Sequence, residues 1–131
     1  MKMRISNPAG VHHPSGYSHV GIVEGPAKIV YISGQVARNE AGETVGKGNL
    51  EEQTKQVYRN LSNILSTMGA SFKNVVKQNI YITRMDQISA IRKVRDEFIT
   101  SDTPPCSTLV GVTALADPDF LIEIEAVAVL D

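Results

Sequence analysis

Hydrophobic and polar residues alternate near the end of the chain. From Leu121 onward, one side of the predicted strand carries Ile122, Ile124, Ala126, Ala128 and Leu130, and the other side carries Glu123, Glu125 and Val127. The apolar side is expected to pack in a core. Carboxylates on the other side of a strand in a small sheet indicate contact with water, a partner subunit or a ligand. We interpret Glu125 as solvated and Glu123 as a candidate functional residue.

Strand-like patterns occur in four earlier segments. Runs rich in β-branched and aromatic residues predict strands over residues 17–23, 27–33, 75–83 and 107–115, with a short edge strand near Arg4. The turn residues 24–26 between the first two runs predict a hairpin that joins them. In the third run, Val76, Ile80 and Ile82 are expected to share one face.

Two segments follow the three-and-four-residue period of an amphipathic helix. The first begins after Asn49, a capping residue with Glu52 at the third helical position, and ends at Gly69. Its predicted core stripe consists of Val57, Leu61, Ile64, Leu65 and Met68. The second covers residues 86–99, with a core stripe of Ile88, Ile91, Val94 and Phe98 and a solvated face of Arg92, Lys93, Arg95 and Asp96. Both helices are therefore expected to cover a sheet.

This order of elements predicts an α+β two-layer sandwich, in which two helices cover one face of a mixed six-stranded sheet. No element is left to cover the other face. That face is expected to carry apolar residues between its polar ones, such as Tyr31, Tyr81, Leu109 and Val127. An uncovered face of this kind predicts packing against other copies of the chain.

Length and charge narrow the class of protein. A chain of 131 residues without a Pro-, Gly- or Ser-rich linker predicts a single domain over residues 1–131. A net charge of −1 without a basic stripe disfavours nucleic acid and an anionic membrane as partners. No apolar run approaches the roughly 20 residues that span a bilayer. The first residues lack the apolar segment of a secretory signal, so a cytoplasmic location is expected.

The cysteine and histidine content limits the possible metal chemistry. A single cysteine, Cys106, excludes an internal disulfide and a cysteine-rich zinc site. Because His12, His13 and His19 have no partner at a metal-binding spacing, no metal site is expected, and the first two are interpreted as exposed polar residues. Cys106 lacks a neighbouring base in the sequence that would activate a thiol, so nucleophilic catalysis by it is disfavoured.

Several short sequence pieces occur in an order that is typical of one known family. They are Gly16-Tyr17-Ser18, Ile32-Ser33-Gly34-Gln35, Glu52-Gln53-Thr54 with Asn60-Leu61, Val76-Lys77 leading into Tyr81-Ile82-Thr83, Pro104-Pro105 and Ile122-Glu123-Ile124-Glu125-Ala126. In their order and spacing, the chain resembles the Rid/YjgF family, the reactive-intermediate deaminases and their relatives, across nearly its whole length.

The resemblance implies a chorismate-mutase-like fold and a homotrimer whose sheets form a central barrel, with small-molecule clefts between neighbouring subunits. Family members that are enzymes hydrolyse enamines and imines such as 2-aminoacrylate to 2-oxo acids and ammonia, with neither metal nor cofactor. That chemistry needs a clamp for the substrate carboxylate, a positioned water and a group that transfers protons. The chain is therefore expected to bind a small metabolite and to need no cofactor.

The resemblance also implies roles for individual residues. Tyr17 matches the tyrosine that lines the cleft, and Ser33 and Gly34 lie where the backbone approaches the ligand. Glu123 matches the glutamate that holds the water or relays the proton, which makes it the expected catalytic residue.

The clamp departs from the family pattern. Active deaminases usually have Pro-Ala-Arg-Ser in this strand, and the arginine pairs with the substrate carboxylate. The aligned residues here are Pro105-Cys106-Ser107-Thr108, so Ser107 occupies the arginine position. Cys106 and Ser107 are expected to contact the substrate. A serine, however, has neither the positive charge nor the two parallel N–H donors with which an arginine binds a carboxylate. A non-standard substrate is therefore expected.

The missing charge leaves several possibilities open. Arg84, Arg92, Arg95 or His19 could supply a substitute group, although a position on an outer surface suits these residues equally well. Without a substitute, the chain could be a ligand-binding or regulatory trimer that does no catalysis. Family members have also been described as translation inhibitors with ribonuclease activity, which the near-neutral charge disfavours here.

Overall fold

The computed structural model describes residues 1–131, which form six strands and two α-helices. In chain order the elements are β1 (Lys2–Ser6), β2 (Val20–Glu24), β3 (Lys28–Gln35), α1 (Leu50–Ser66), β4 (Val75–Ile82), α2 (Ile88–Phe98), β5 (Cys106–Gly111) and β6 (Ile122–Leu130). Short 3-10 helices over Phe72–Asn74 and Met85–Gln87 precede β4 and α2. None of the helices is both long and apolar enough to span a bilayer.

The strands form a four-stranded mixed sheet and a separate two-stranded sheet. The larger sheet has the order β3-β6-β4-β5, in which β6 is antiparallel to both neighbours and β5 is parallel to β4. The α+β prediction with two helices on a mixed sheet is confirmed, whereas the prediction of a single six-stranded sheet is wrong.

The hairpin predicted across residues 24–26 is also wrong. All five residues of β2 pair with β1, from Val20 opposite Ser6 to Glu24 opposite Lys2. β3 instead pairs with β6. The local turn signal is real, since Gly25 has a φ of +84°. The turn directs the chain from one sheet to the other, since β2 pairs with β1 and β3 pairs with β6.

The first helix begins at a side-chain cap, whereas the second has none at its start. The Asn49 side chain accepts a hydrogen bond of 3.0 Å from the Glu52 backbone N–H, as the capping pattern predicts. The helix α1 ends at Ser66, so Met68, predicted in the core stripe, lies beyond the helix and is 37% exposed. The helix α2 begins at Ile88, later than the predicted residue 86, because Met85–Gln87 form a 3-10 turn.

The core lies between the helices and the larger sheet. Alternate residues of β6 are buried there, as its two-residue period predicts. In β4 a bulge shifts the pattern, so Val75 is buried in place of Val76. Val76 instead lies against Gly21 of β2, where a side-chain carbon would be 2.6 Å from a Val76 methyl group. The two-stranded sheet therefore approaches the larger sheet near the start of β4 and β5.

The outer face of the larger sheet carries exposed apolar side chains. Tyr31 of β3 is 78% exposed and Ile29 is 56% exposed, while Val127 is half-buried. Leu109 was predicted on this face, but it pairs with Ile80, whose side chain is buried on the helix side. That part of the prediction is therefore wrong, because the parallel register of β5 with β4 fixes the side to which Leu109 belongs.

Candidate functional site

Two of the expected site residues, Tyr17 and Ser107, line one pocket of about 310 Å³ between β5 and α2. Its walls are formed by Ser15, Tyr17, Ile80, Ile91, Arg92, Arg95, Ser107, Thr108 and Leu109. In the parallel register of β4 and β5, Ser107 lies opposite Gln78, which is buried on the helix side. Ser107 therefore belongs to the face of β5 that meets α2.

A backbone bridge holds the Tyr17 loop against this strand. The Ser18 N–H donates a 3.2 Å hydrogen bond to the Pro105 carbonyl, and Ser18 also bridges to Cys106 in parallel register. This contact joins the segment before β2 to the start of β5. It explains how residues 90 positions apart in sequence reach the same pocket.

Two histidines, His12 and His19, contact the Tyr17 side chain. The Tyr17 hydroxyl lies 2.6 Å from His12 Nε2, and His19 Nε2 lies 2.7 Å from the His12 carbonyl oxygen. The His19 ring meets the Tyr17 ring edge to face, with centroids 5.5 Å apart. His19 is therefore part of the framework around Tyr17. The hydrogen bond of His12 could not be predicted, because it depends on the folding of the loop and not on a sequence motif.

The same pocket receives two arginines that were assigned to the solvated face of the second helix. Arg92 is exposed, but the Arg95 side chain is only 17% exposed. The Arg95 guanidinium lies directly against Gly16, whose φ is +77° and where any side chain would overlap it. The solvated position predicted for Arg95 is wrong, since the loop before β2 covers this side of α2. Arg84 lines a different pocket, together with residues that include Asp117.

The expected catalytic residue Glu123 lies on the opposite face of the sheet. It pairs with Tyr81 across β4 and β6, on the face that carries Glu125. The Glu123 side chain covers Gly34 so closely that a side-chain carbon at Gly34 would overlap the carboxylate. Ser33, the preceding residue, is exposed. The structure thus brings Gly34 and Glu123 together, while the contact of Ser33 and Gly34 with a ligand stays a prediction.

The neighbouring carboxylate, Glu125, has a structural partner. The Tyr81 hydroxyl donates a 2.6 Å hydrogen bond to Glu125 Oε1, so Glu125 is half-buried and not solvated as expected. This hydrogen bond is the main reason that the pKa of Tyr81 is raised above its ordinary value. No hydrogen bond of this kind occupies Glu123, which leaves its carboxylate for another partner.

Cys106 does not join the Tyr17 pocket. It lies opposite Lys77 on the face away from the helices, and its sulfur is near Gly21 of β2. The structure thus forms one cluster of Tyr17 and Ser107 and another of Glu123 and Gly34, on opposite faces of the sheet. The chain contains no group of three His, Cys, Asp or Glu side chains arranged to hold a metal ion.

Comparison with known proteins establishes the family. A family model described as endoribonuclease L-PSP matches residues 10–130. The chain belongs to this family, the Rid/YjgF family. It shares the Rid fold with a crystal structure of a conserved Rid-family protein of unknown function, YyfB from Yersinia pestis. That structure has a TM-score of 0.90 and 37% identity, with 99% of this chain and 100% of that chain covered.

Curated relatives of this Rid-family chain have different names. A RutC family protein from Synechocystis is 33% identical over 132 residues, which cover 99% of this chain and 98% of that protein. A 2-iminobutanoate/2-iminopropanoate deaminase from Dermatophagoides farinae is also 33% identical, over 130 residues that cover 99% of this chain and 98% of that protein. The relatives thus include a protein named as a deaminase of 2-imino acids.

Proposed function

We propose that this Rid-family protein binds a small 2-imino acid in a cleft between two copies of the chain and hydrolyses it to a 2-oxo acid and ammonia. The observation that carries the proposal is the division of the site residues between two faces. The Tyr17 pocket belongs to one face and the Glu123 carboxylate to the other. A cleft that contains both therefore needs a second copy.

The chemistry assigned to Glu123 follows from its position. A carboxylate can accept a proton from a water molecule while that water attacks the imine carbon. In a protonated imine, the electron pair of the C=N bond moves to nitrogen as the C–O bond forms, which gives a carbinolamine. The carboxyl group then passes its proton to the nitrogen. The carboxylate takes the hydroxyl proton as the C–N bond breaks, the C=O bond of the 2-oxo acid forms and ammonia leaves. Gly34 leaves room for Glu123 in this position, since a larger residue would displace the carboxylate.

The exposed face of β3 supports association of the copies. Tyr31 and Ile29 lie on this strand with most of their surfaces exposed in the single chain. Exposed aromatic and branched side chains of this kind are typical of subunit interfaces. The proposed assembly is the homotrimer implied by the family, and the cytoplasmic location expected from the sequence is kept as part of the proposal.

A panel of imines tests the proposed reaction. An amino-acid oxidase generates short-lived imines from apolar, basic and acidic amino acids, and release of the 2-oxo acid is measured with and without this protein. We expect acceleration for at least one class of imine. Acceleration for none of the classes would contradict the proposed hydrolysis.

Substitution of the carboxylate tests the role of Glu123. The Glu123→Gln variant should lose at least about a hundredfold in rate, because an amide cannot accept the proton from water. Glu125→Gln is the matched control, since it removes the same charge two residues along the same face. A Glu123→Gln variant as active as Glu125→Gln would contradict the assignment.

A second function is favoured by Ser107. If the pocket bound a metabolite without turnover, the protein would be a ligand-binding trimer, which the loss of the family's arginine supports. Binding of a 2-oxo acid without acceleration of any imine would identify this function. Turnover would exclude it as the sole function.

A further inference from the structure

We propose that Arg92 and Arg95 of α2 together replace the family's missing strand arginine, so that the Tyr17 pocket binds a small carboxylate with a short apolar side chain. This inference rests on the proposed function, because it names the substrate group that the same cleft recognises. It assigns the anion-binding role to a helix and not to the strand that carries Ser107.

The pocket has the charge that an anion needs. Its lining residues include two arginines and no aspartate or glutamate. The hydroxyl groups of Ser15, Tyr17, Ser107 and Thr108 add uncharged donors on the same walls. Guanidinium groups with nearby hydroxyls are a common donor set for carboxylates. Ser107 can therefore contribute a hydrogen bond, while the arginines supply the charge.

Arg95 is held in place before any ligand binds. Its side chain is 17% exposed. Its guanidinium lies against Gly16, where a side-chain carbon would overlap both terminal nitrogens, Nη1 and Nη2. A side chain that is already ordered loses less conformational entropy when it binds a ligand. The glycine at position 16 is thus required both by its φ of +77° and by the guanidinium.

The internal ion pair of Arg95 is weak enough to leave donors for a ligand. Arg95 Nε and Nη2 both donate to one oxygen, Oδ1 of Asp96, at 3.2 and 3.0 Å. The Asp96 side chain is 68% exposed, and exposed pairs contribute little to stability. The other guanidinium nitrogen, Nη1, makes no side-chain hydrogen bond within the chain. A substrate carboxylate can use this nitrogen or compete with Asp96.

Arg92 adds a second charge one turn earlier on the same helix face. Residues three apart on a helix are neighbours on its surface, so both guanidinium groups can reach one ligand. The ion pairs of the chain include no acidic partner for Arg92. Its charge is therefore available to the pocket.

The floor of the pocket limits the rest of the ligand. Ile80 and Ile91 are buried beneath it, and Leu109 completes an apolar surface. A volume of about 310 Å³ is at the small end of the range for metabolite sites. A carboxylate on the arginines thus leaves room for a short apolar side chain on the isoleucines.

Calorimetric titration with 2-oxobutanoate and with its neutral amide, 2-oxobutanamide, tests the inference on the full chain. The acid should bind at least about tenfold more tightly than the amide. Arg92→Gln and Arg95→Gln should each weaken binding of the acid about ten- to a hundredfold and leave binding of the amide nearly unchanged. Arg59→Gln removes an exposed arginine from α1, outside the pocket, and should bind the acid as the unchanged protein does.

The outcomes separate this inference from the proposed hydrolysis. Equal binding of acid and amide, or binding that neither arginine variant weakens, would overturn it even if imines were hydrolysed. Arginine-dependent binding without turnover would support it and contradict the hydrolysis. Should Arg95→Gln fail to fold, as judged by its circular dichroism spectrum, Arg92→Gln and the preference for acid over amide decide the question.

Discussion

Ser107 and Arg95 line the same pocket from a strand and a helix. An arginine at position 107 should therefore be able to replace the guanidinium of Arg95. The Arg95→Gln variant should bind 2-oxobutanoate weakly. Addition of Ser107→Arg to it should recover binding to within about tenfold of the unchanged protein, because the new guanidinium points into the same space. Calorimetry measures the recovery. A double variant no tighter than Arg95→Gln would show that the strand position has lost access to the ligand.

Gly34 provides a second test at the level of one side chain. Its φ is not in the left-handed region, so Gly34→Ala should be tolerated by the backbone. The added methyl group would overlap the flexible Glu123 side chain and move the carboxylate. We expect imine hydrolysis to fall at least about tenfold with a change in stability below about 1 kcal/mol. The control is Ala41→Ser, which also adds one heavy atom but at an exposed loop position. Gly42 in that loop is not used, because its φ is positive. Unchanged turnover in Gly34→Ala would contradict the position given to Glu123.

The site residues show which side-chain positions follow from the sequence and which depend on the tertiary fold. The face of Glu123 was predicted correctly because the two-residue alternation of β6 fixes it, whereas its role and that of Gly34 stay predictions from the resemblance. The orientation of Arg95 could not be predicted, since charged residues on the polar face of a helix are usually solvated. Its burial depends on Gly16, in a loop far away in sequence.

Secondary structure elements were predictable where the signal is local. Both helices follow from an apolar stripe and, for α1, from the cap at Asn49. Strand pairing is not local, so the period-two runs before and after Gly25 predicted a hairpin that does not form. The bulge at Val76 is likewise invisible in the sequence, because it depends on the register between β4 and β6.

The cap of α1 gives a stability prediction for an element. Asn49→Ala removes the side-chain acceptor for the Glu52 N–H and should lower the free energy of unfolding by about 1 kcal/mol. Urea denaturation measures the change. Asn63→Ala is the matched control, because this asparagine is exposed within α1 and its side chain makes no hydrogen bond within the chain. Equal stability of the two variants would mean that the cap contributes nothing measurable.

The whole molecule is expected to associate through the outer face of its larger sheet. Tyr31→Asp should shift the protein from trimer towards monomer, because it places a charge among apolar side chains at the proposed interface. Sedimentation equilibrium measures the mass in solution. Val11→Asp alters another exposed apolar residue, in the N-terminal loop, and should leave the mass unchanged. A trimer that tolerates Tyr31→Asp would place the interface elsewhere.

Complementation between two inactive variants tests most directly whether the catalytic cleft joins two copies. Ser107→Phe should be inactive because its ring fills the Tyr17 pocket, and Glu123→Gln should be inactive because it lacks the carboxylate. The two variants are unfolded and refolded together, and imine hydrolysis is compared with that of each variant refolded alone. If the two halves of the cleft come from neighbouring copies, random mixing should restore about a quarter of the original rate, since that fraction of interfaces pairs an intact pocket with an intact Glu123. A mixture no more active than the separate variants would contradict the shared cleft.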